Sequence, residues 1–153
     1  MITRPSTPRI LEDVCEQLMR DVMPGIDDPA AQIRLHMLIA TLNSCANASA
    51  AEISLMKQEI ALYGDFAQEV ATATGDAAVQ ERLAALEPSD SLLLADVAAE
   101  YARAGRAFTA AMDLVMDQRN SGLIEKGEAL LKVRLENERT ILSGSSTIGR
   151  SAS

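Results

Sequence analysis

Four aromatic side chains, Tyr63, Phe66, Tyr101 and Phe108, and no tryptophan are all the aromatic material this chain offers to a core. Leu, Ile, Val, Met and many alanines must supply the rest. Alanine is the best helix former, and the mixture lacks the β-branched and aromatic enrichment that strands favour. The expected fold class is all-α. With 153 residues, 48% of them apolar and 24% charged, the chain has the proportions of one globular domain, able to bury about 68% of the surface its unfolded form exposes.

The formal charge of −8, from 22 acidic against 14 basic residues, disfavours nucleic acid or an anionic membrane surface as a partner, since both need clustered Lys and Arg. The start, "MITRPSTPRILEDV", has no apolar core of a secretory signal, and no apolar run reaches spanning length. Two distant cysteines, Cys15 and Cys45, read as free, buried thiols in a reducing cytoplasm.

Helical periodicity recurs along the chain. In "TPRILEDVCEQLMRDVMPG", Ile10, Leu11, Val14, Leu18 and Val22 fall at helical spacing. Thr7 is the expected cap, Pro8 takes the first turn and Pro24-Gly25 ends the helix. Asp28 and Pro29 start a second helix that is apolar nearly all round in "IRLHMLIATLNSC". The pattern predicts one helix over 29–62, bent near Asn47 and closed at Gly64-Asp65, although Ser49 with Glu52 offers a capping box for a separate start. One or two short helices follow, broken at Thr74-Gly75 and ended before Pro88. Ser89 or Asp90 then caps a long helix along Leu93, Val97, Tyr101, Phe108, Met112 and Val115. After a turn at 120–122 the last helix carries Ile124, Leu131, Leu135 and Leu142 on one stripe beside Leu130 and Ile141. Four long helices with short connections imply an antiparallel bundle with short capping helices over 1–142, followed by a disordered tail over 143–153.

Ala98, Ala102, Gly105 and Thr109 line up at three- and four-residue spacing, a smooth strip that a second-subunit helix can approach closely. These four are the candidate oligomer interface, and a homodimer is the expected state.

His36 is the only histidine. A metal-binding histidine needs partners, and Gln32, Ile33, Ile39 and Ala40, one turn away, supply no charge. The paired Glu-x-x-His motifs of di-iron bundles are missing, so no metal and no cofactor is expected. Cys45, nine residues on, is turned about 180° from His36 and cannot pair with it. Asn43 lies two turns along the same face, which allows a small site of His36 as base or donor with Asn43 orienting a ligand. Arg34 points about 160° away. A neutral imidazole bonded to a neighbouring group is the plainer reading. Met19, Met23, Met37 and Met56 suit a pliable pocket, a partner groove or simple gap-filling. The acidic clusters "LEDVCEQ" and "LENERTIL" read as solvated helix faces. Asp90-Ser91-Leu92 resembles the Asp-Ser-Leu at which acyl carrier proteins bear phosphopantetheine, over three residues and without the preceding glycine; the same residues are also helix-capping chemistry.

Arg4-Pro5 before a leucine-patterned helix, Val22 and Pro24 at its end, then Arg34, His36 and Asn43 resemble, over about residues 4–60, the opening of an uncharacterised bacterial family. Its members are short helical proteins often encoded beside aminoglycoside-phosphotransferase-like proteins and acyl-CoA dehydrogenases. The asparagine falls about one residue from the family's position. The resemblance implies an accessory protein working with a larger enzyme in acyl-CoA or related catabolism. The expected function is a non-catalytic cytoplasmic accessory or interaction protein. The alternative is a small enzyme, or a protein binding an acyl or carboxylate ligand around His36.

Overall fold

Asp28 sets the register of the longest element. Its two carboxylate oxygens accept the backbone N–H groups of Ala30 and Ala31 at 3.0 and 3.1 Å, and Pro29 fills the first helical position. In the computed structural model, which describes residues 5–142, that helix runs unbroken from Pro29 to Thr74. The described residues form helices and no strand: α1 (Thr7–Gln17), α2 (Pro29–Thr74), α3 (Ala77–Ala84), α4 (Leu94–Asp117) and α5 (Ser121–Leu142). The tail expected to be disordered, 143–153, and Arg4 lie outside the described residues.

Several boundaries differ from expectation for local reasons. Ser6, not Thr7, is the residue that precedes α1, and its side chain makes no capping bond. The path leaves α1 through a wide π-type turn at Leu18–Val22 and a tight turn at Met23–Gly25, so Pro24-Gly25 does end the segment. No new start occurs at Ser49, whose hydroxyl donates back to the Ala46 carbonyl at 3.0 Å. Nor does Gly64 stop α2. A glycine costs a helix about 1 kcal/mol relative to alanine, and Tyr63, Phe66, Ala67, Val70 and Ala71 outweigh this by burying one stripe on both sides of it. The true stop is Gly75, at φ +68°, a conformation glycine adopts without strain. Asp76 then caps α3 by accepting the Val79 N–H at 3.0 Å. Helix α4 starts at Leu94, later than the expected Ser89 or Asp90, because Ser91 folds the lead-in: its Oγ accepts from the Leu93 N–H and donates to Asp96 at 2.6 Å.

The chain divides into two compact units, Ile53–Glu136 and Met1–Glu52 with Asn137–Ser153. The first holds the main core: Tyr63, Phe66, Val70, Val79, Ala104, Ala107, Phe108, Ala111, Val115 and Leu123 are all buried. All four aromatic residues meet there. Tyr63 stacks on Phe108 with ring centroids 4.6 Å apart, and Phe66 and Tyr101 complete the set at 5.3 and 6.1 Å. Alanines at 104, 107 and 111 let α4 approach closely. Gly127 does the same for α5: a Cβ there would fall 2.0 Å from Met112 Sδ and 3.3 Å from Phe66 Cζ. This contact rotates α5 so that Leu123, Gly127 and Leu130 face the core, while Leu131, Leu135 and Leu142, expected inside, are exposed.

The second unit is thinly filled. Among its described residues only Cys15, Ile39 and Ala46 are buried. Cys15 Sγ donates to the Ile39 carbonyl at 3.7 Å, and Asn47 Nδ2 donates to the Ile141 carbonyl at 3.1 Å. Cys45 is exposed, against the expectation of two buried thiols, because Ala46 takes the inward position beside it.

Candidate functional site

Two carboxylates are buried in Ile53–Glu136, and each has a defined partner. Glu59 Oε2 accepts the Tyr101 hydroxyl at 2.6 Å and the Tyr63 hydroxyl at 3.3 Å. Glu100 accepts Lys57 Nζ at 3.0 Å, and the same ammonium donates to the Ser89 carbonyl, tying the α4 lead-in to α2. Burying a carboxylate without partners costs several kcal/mol, so these bonds are what allow Glu59 and Glu100 inside. Burial pushes the Tyr101 and Tyr63 hydroxyls above their ordinary value of 10. The neighbouring Glu59 charge pushes the same way, and Arg134 opposes it. Both phenols stay protonated at neutral pH and donate to Glu59 continuously.

Outside this network, in the same unit, runs a groove of about 540 Å³. Its walls include the rings of Tyr63, Tyr101 and Phe108 with Leu131, and its charged groups are Arg82 from α3, Arg106 and Asp113 from α4, and Arg134 from α5. Its floor contains Ala102, Gly105 and Thr109, three of the four residues singled out as a small strip; Ala98 lies exposed further along α4. Gly105 makes room rather than close contact: a Cβ there would meet nothing within 4 Å. Thr109 donates its hydroxyl to the Gly105 carbonyl at 2.9 Å and is internally satisfied.

The other candidates separate. His36 is half-buried, and its Nδ1 lies 2.9 Å from the Gln32 carbonyl one turn back, to which Nδ1–H can donate. It lines neither this groove nor the one beside Cys15 in its own unit. Asn43 does line that second groove, about 600 Å³, with Cys15, Met19, Arg20 and Ile39. No hydrogen bond joins Asn43 to His36, and exposed Arg34 turns back to Asp28 at 3.4 Å. The three polar residues of the apolar helix are therefore not assembled into one site. Cys15 has its thiol pushed up by burial, away from the reactive thiolate form. Ser91, the carrier-like serine, spends its hydroxyl on Asp96 and the Leu93 N–H. Among the described residues, no group of three or more His, Cys, Asp or Glu capable of holding a metal occurs, and no helix is long and apolar enough to cross a membrane.

The buried Glu59–Tyr101 pair and the arginines were not legible in sequence. Glu59 and Tyr101 are 42 residues apart, and the arginines sit singly on three helices. The one available signal was the scarcity of aromatics, which marks where they gather. No family model, curated protein or solved structure matches the chain.

Proposed function

We propose that this chain is a non-catalytic helical interaction protein of the cytoplasm, which self-associates and serves as an accessory subunit to a larger protein. One observation carries the reading. On the N-terminal half of α2, Ile33, Met37 and Leu38 are 62%, 66% and 60% exposed, and between Pro29 and Ala51 the sequence holds no carboxylate. At 100° per residue, Ile33, Met37, Thr41, Cys45 and Leu38 fall within an arc of about 140°, a continuous outer face. In its own unit, α1 and the turn after it add exposed Ile10, Val14, Met19 and Val22. Each such side chain is worth about 1.5–3 kcal/mol when removed from water. Monomers leave isolated apolar residues exposed, but a run of large ones on a face without carboxylates, where Arg34 is the one charge and is paired to Asp28, marks a contact surface.

The occupant is a second copy. Two chains of net charge −8 repel each other, and the α2 outer face is where two copies can touch without bringing carboxylates together. A twofold, isologous pairing lets the same patch cover itself. The reading takes the helices as an antiparallel bundle of four, with α3 as a capping element. The three-residue link from α4 to α5 supports that arrangement. The larger partner suggested by the resemblance is an enzyme of acyl-CoA or related catabolism. Sedimentation of the purified chain at micromolar concentration tests the reading: a mass twice 16.4 kDa is expected, and a strict monomer removes its support.

A further inference from the structure

The groove over α4 raises a question that self-association does not answer. The chain has 22 carboxylates and 14 basic residues, so an arginine can readily find a partner. Several do: Arg9 pairs with Asp13 at 2.9 Å, Arg20 with Asp21 at 2.8 Å, and Arg34 with Asp28. Arg82 and Arg106 form no ion pair among the described residues, yet both line the same groove, and Arg134 joins them from α5. The groove's charged lining is three arginines and one carboxylate, Asp113, with Arg134 engaged elsewhere, in an otherwise acidic molecule. Between them lie Leu131 and the half-buried Tyr101, backed by the buried rings of Tyr63 and Phe108.

We propose that this groove binds an organic carboxylate: an anionic head held by Arg82 and Arg106, and an apolar body laid against Leu131 and the half-buried ring of Tyr101, behind which Tyr63 and Phe108 are packed. Guanidinium presents paired donors that match a carboxylate, and it gives up water more readily than an ammonium does. About 540 Å³ lies within the range of small-molecule sites. The tyrosines contribute their rings and not their hydroxyls, which Glu59 already engages at 2.6 and 3.3 Å. The rings are thus held in place before any ligand arrives, and no phenolate forms to repel an anion. Gly105 and Ala102 keep the floor low, so the body of the ligand reaches the aromatic wall. The site lies wholly within Ile53–Glu136 and does not depend on the α2 face, so the two readings stand or fall separately.

The experiment is an NMR titration of the intact chain with 4-phenylbutyrate, with 4-phenylbutanol as the uncharged counterpart. Amide shifts at Gly105, Thr109 and Leu131 are expected to saturate with a Kd of about 1 mM or tighter, and the alcohol is expected to bind at least about tenfold more weakly. Arg106→Gln and Arg82→Gln should each weaken the acid by about tenfold and leave the alcohol unchanged. Gly105→Met supplies a separate control. It fills the groove from an unstrained helical position, so the chain should be no less stable while carboxylate binding is lost. Equal affinity for acid and alcohol, insensitivity to both arginine substitutions, or full binding by Gly105→Met overturns the proposal. So does saturation by an acidic helical peptide in place of the small acid, which would make the groove a protein-docking surface.

Discussion

The two compact units solve the same packing problem with different materials. Ile53–Glu136 gathers every aromatic ring of the chain, threads alanines and Gly127 between them, and pairs its two buried carboxylates with Tyr63, Tyr101 and Lys57. The unit containing α1 and the first half of α2 has no aromatic residue, buries only Cys15, Ile39 and Ala46 among those described, and leaves Ile33, Met37 and Leu38 facing outward. The second is less charged than the first and also somewhat less apolar. What separates them is where the apolar atoms end up. The Ile53–Glu136 unit closes around its rings while leaving Leu92, Leu93 and Met116 exposed; the other buries little and leaves outside the α2 face that we propose a second copy covers.

The contrast can be broken first at the aromatic cluster. Phe108→Ala removes the ring stacked on Tyr63 and is expected to cost about 3–5 kcal/mol in urea unfolding; a loss under about 1 kcal/mol would mean the cluster does not organise the unit. Glu59→Leu should cost about 2–3 kcal/mol, because two buried hydroxyls lose their acceptor, and Tyr101→Phe in that background should recover part of the loss. Gly127→Ala is expected to cost about 1–2 kcal/mol, since the added methyl collides with Met112 and Phe66. Met112→Ala combined with it should relieve the collision, which a double-mutant cycle reads directly.

The pH dependence sharpens the same comparison. The folded Tyr63 and Tyr101 hydroxyls titrate above their unfolded value, so their contribution is complete below about pH 10 and declines as pH rises past it, where the unfolded chain releases protons that the folded one keeps. Cys15 adds a decline of the same sign beginning near its ordinary value of 9.0. Urea midpoints should therefore fall on the alkaline side, and phenolate absorbance should jump on unfolding; tyrosines that titrate normally in the folded chain would contradict the Glu59 network. The smallest effect belongs to His36. Its ring bonds only to a carbonyl of its own helix, and His36→Gln should shift stability by no more than about 0.5 kcal/mol.

Local signals in the sequence translated well where the chemistry was local. Asp28-Pro29 does start a helix and Gly75 does end one, because a cap or a positive φ depends on residues within a few positions. Readings that depended on distant partners did not translate. Gly64 looked like a stop until the stripe from Tyr63 to Ala71 proved worth more than a glycine's helix cost. The α5 stripe was half right: Ile124 and Leu130 pack on the core, but Leu131 and Leu135 are exposed, because the helix's rotation is set by Gly127 against Met112 and Phe66, which lie elsewhere in the sequence. The groove was half visible: the small strip of Ala102, Gly105 and Thr109 was legible, but not the arginines that border it, each isolated on its own helix.

The claim that the α2 outer face is covered by a second copy is tested most directly by the chain's own thiols. Cys45 is exposed on that face and Cys15 is buried, so labelling by a thiol reagent reads the face against an internal reference. Modification of Cys45 should slow as protein concentration rises, and Met37→Glu with Leu38→Glu should restore fast labelling at every concentration. A Cys45 that reacts at one rate across the whole range, in a chain that never exceeds the monomer mass, would contradict the account.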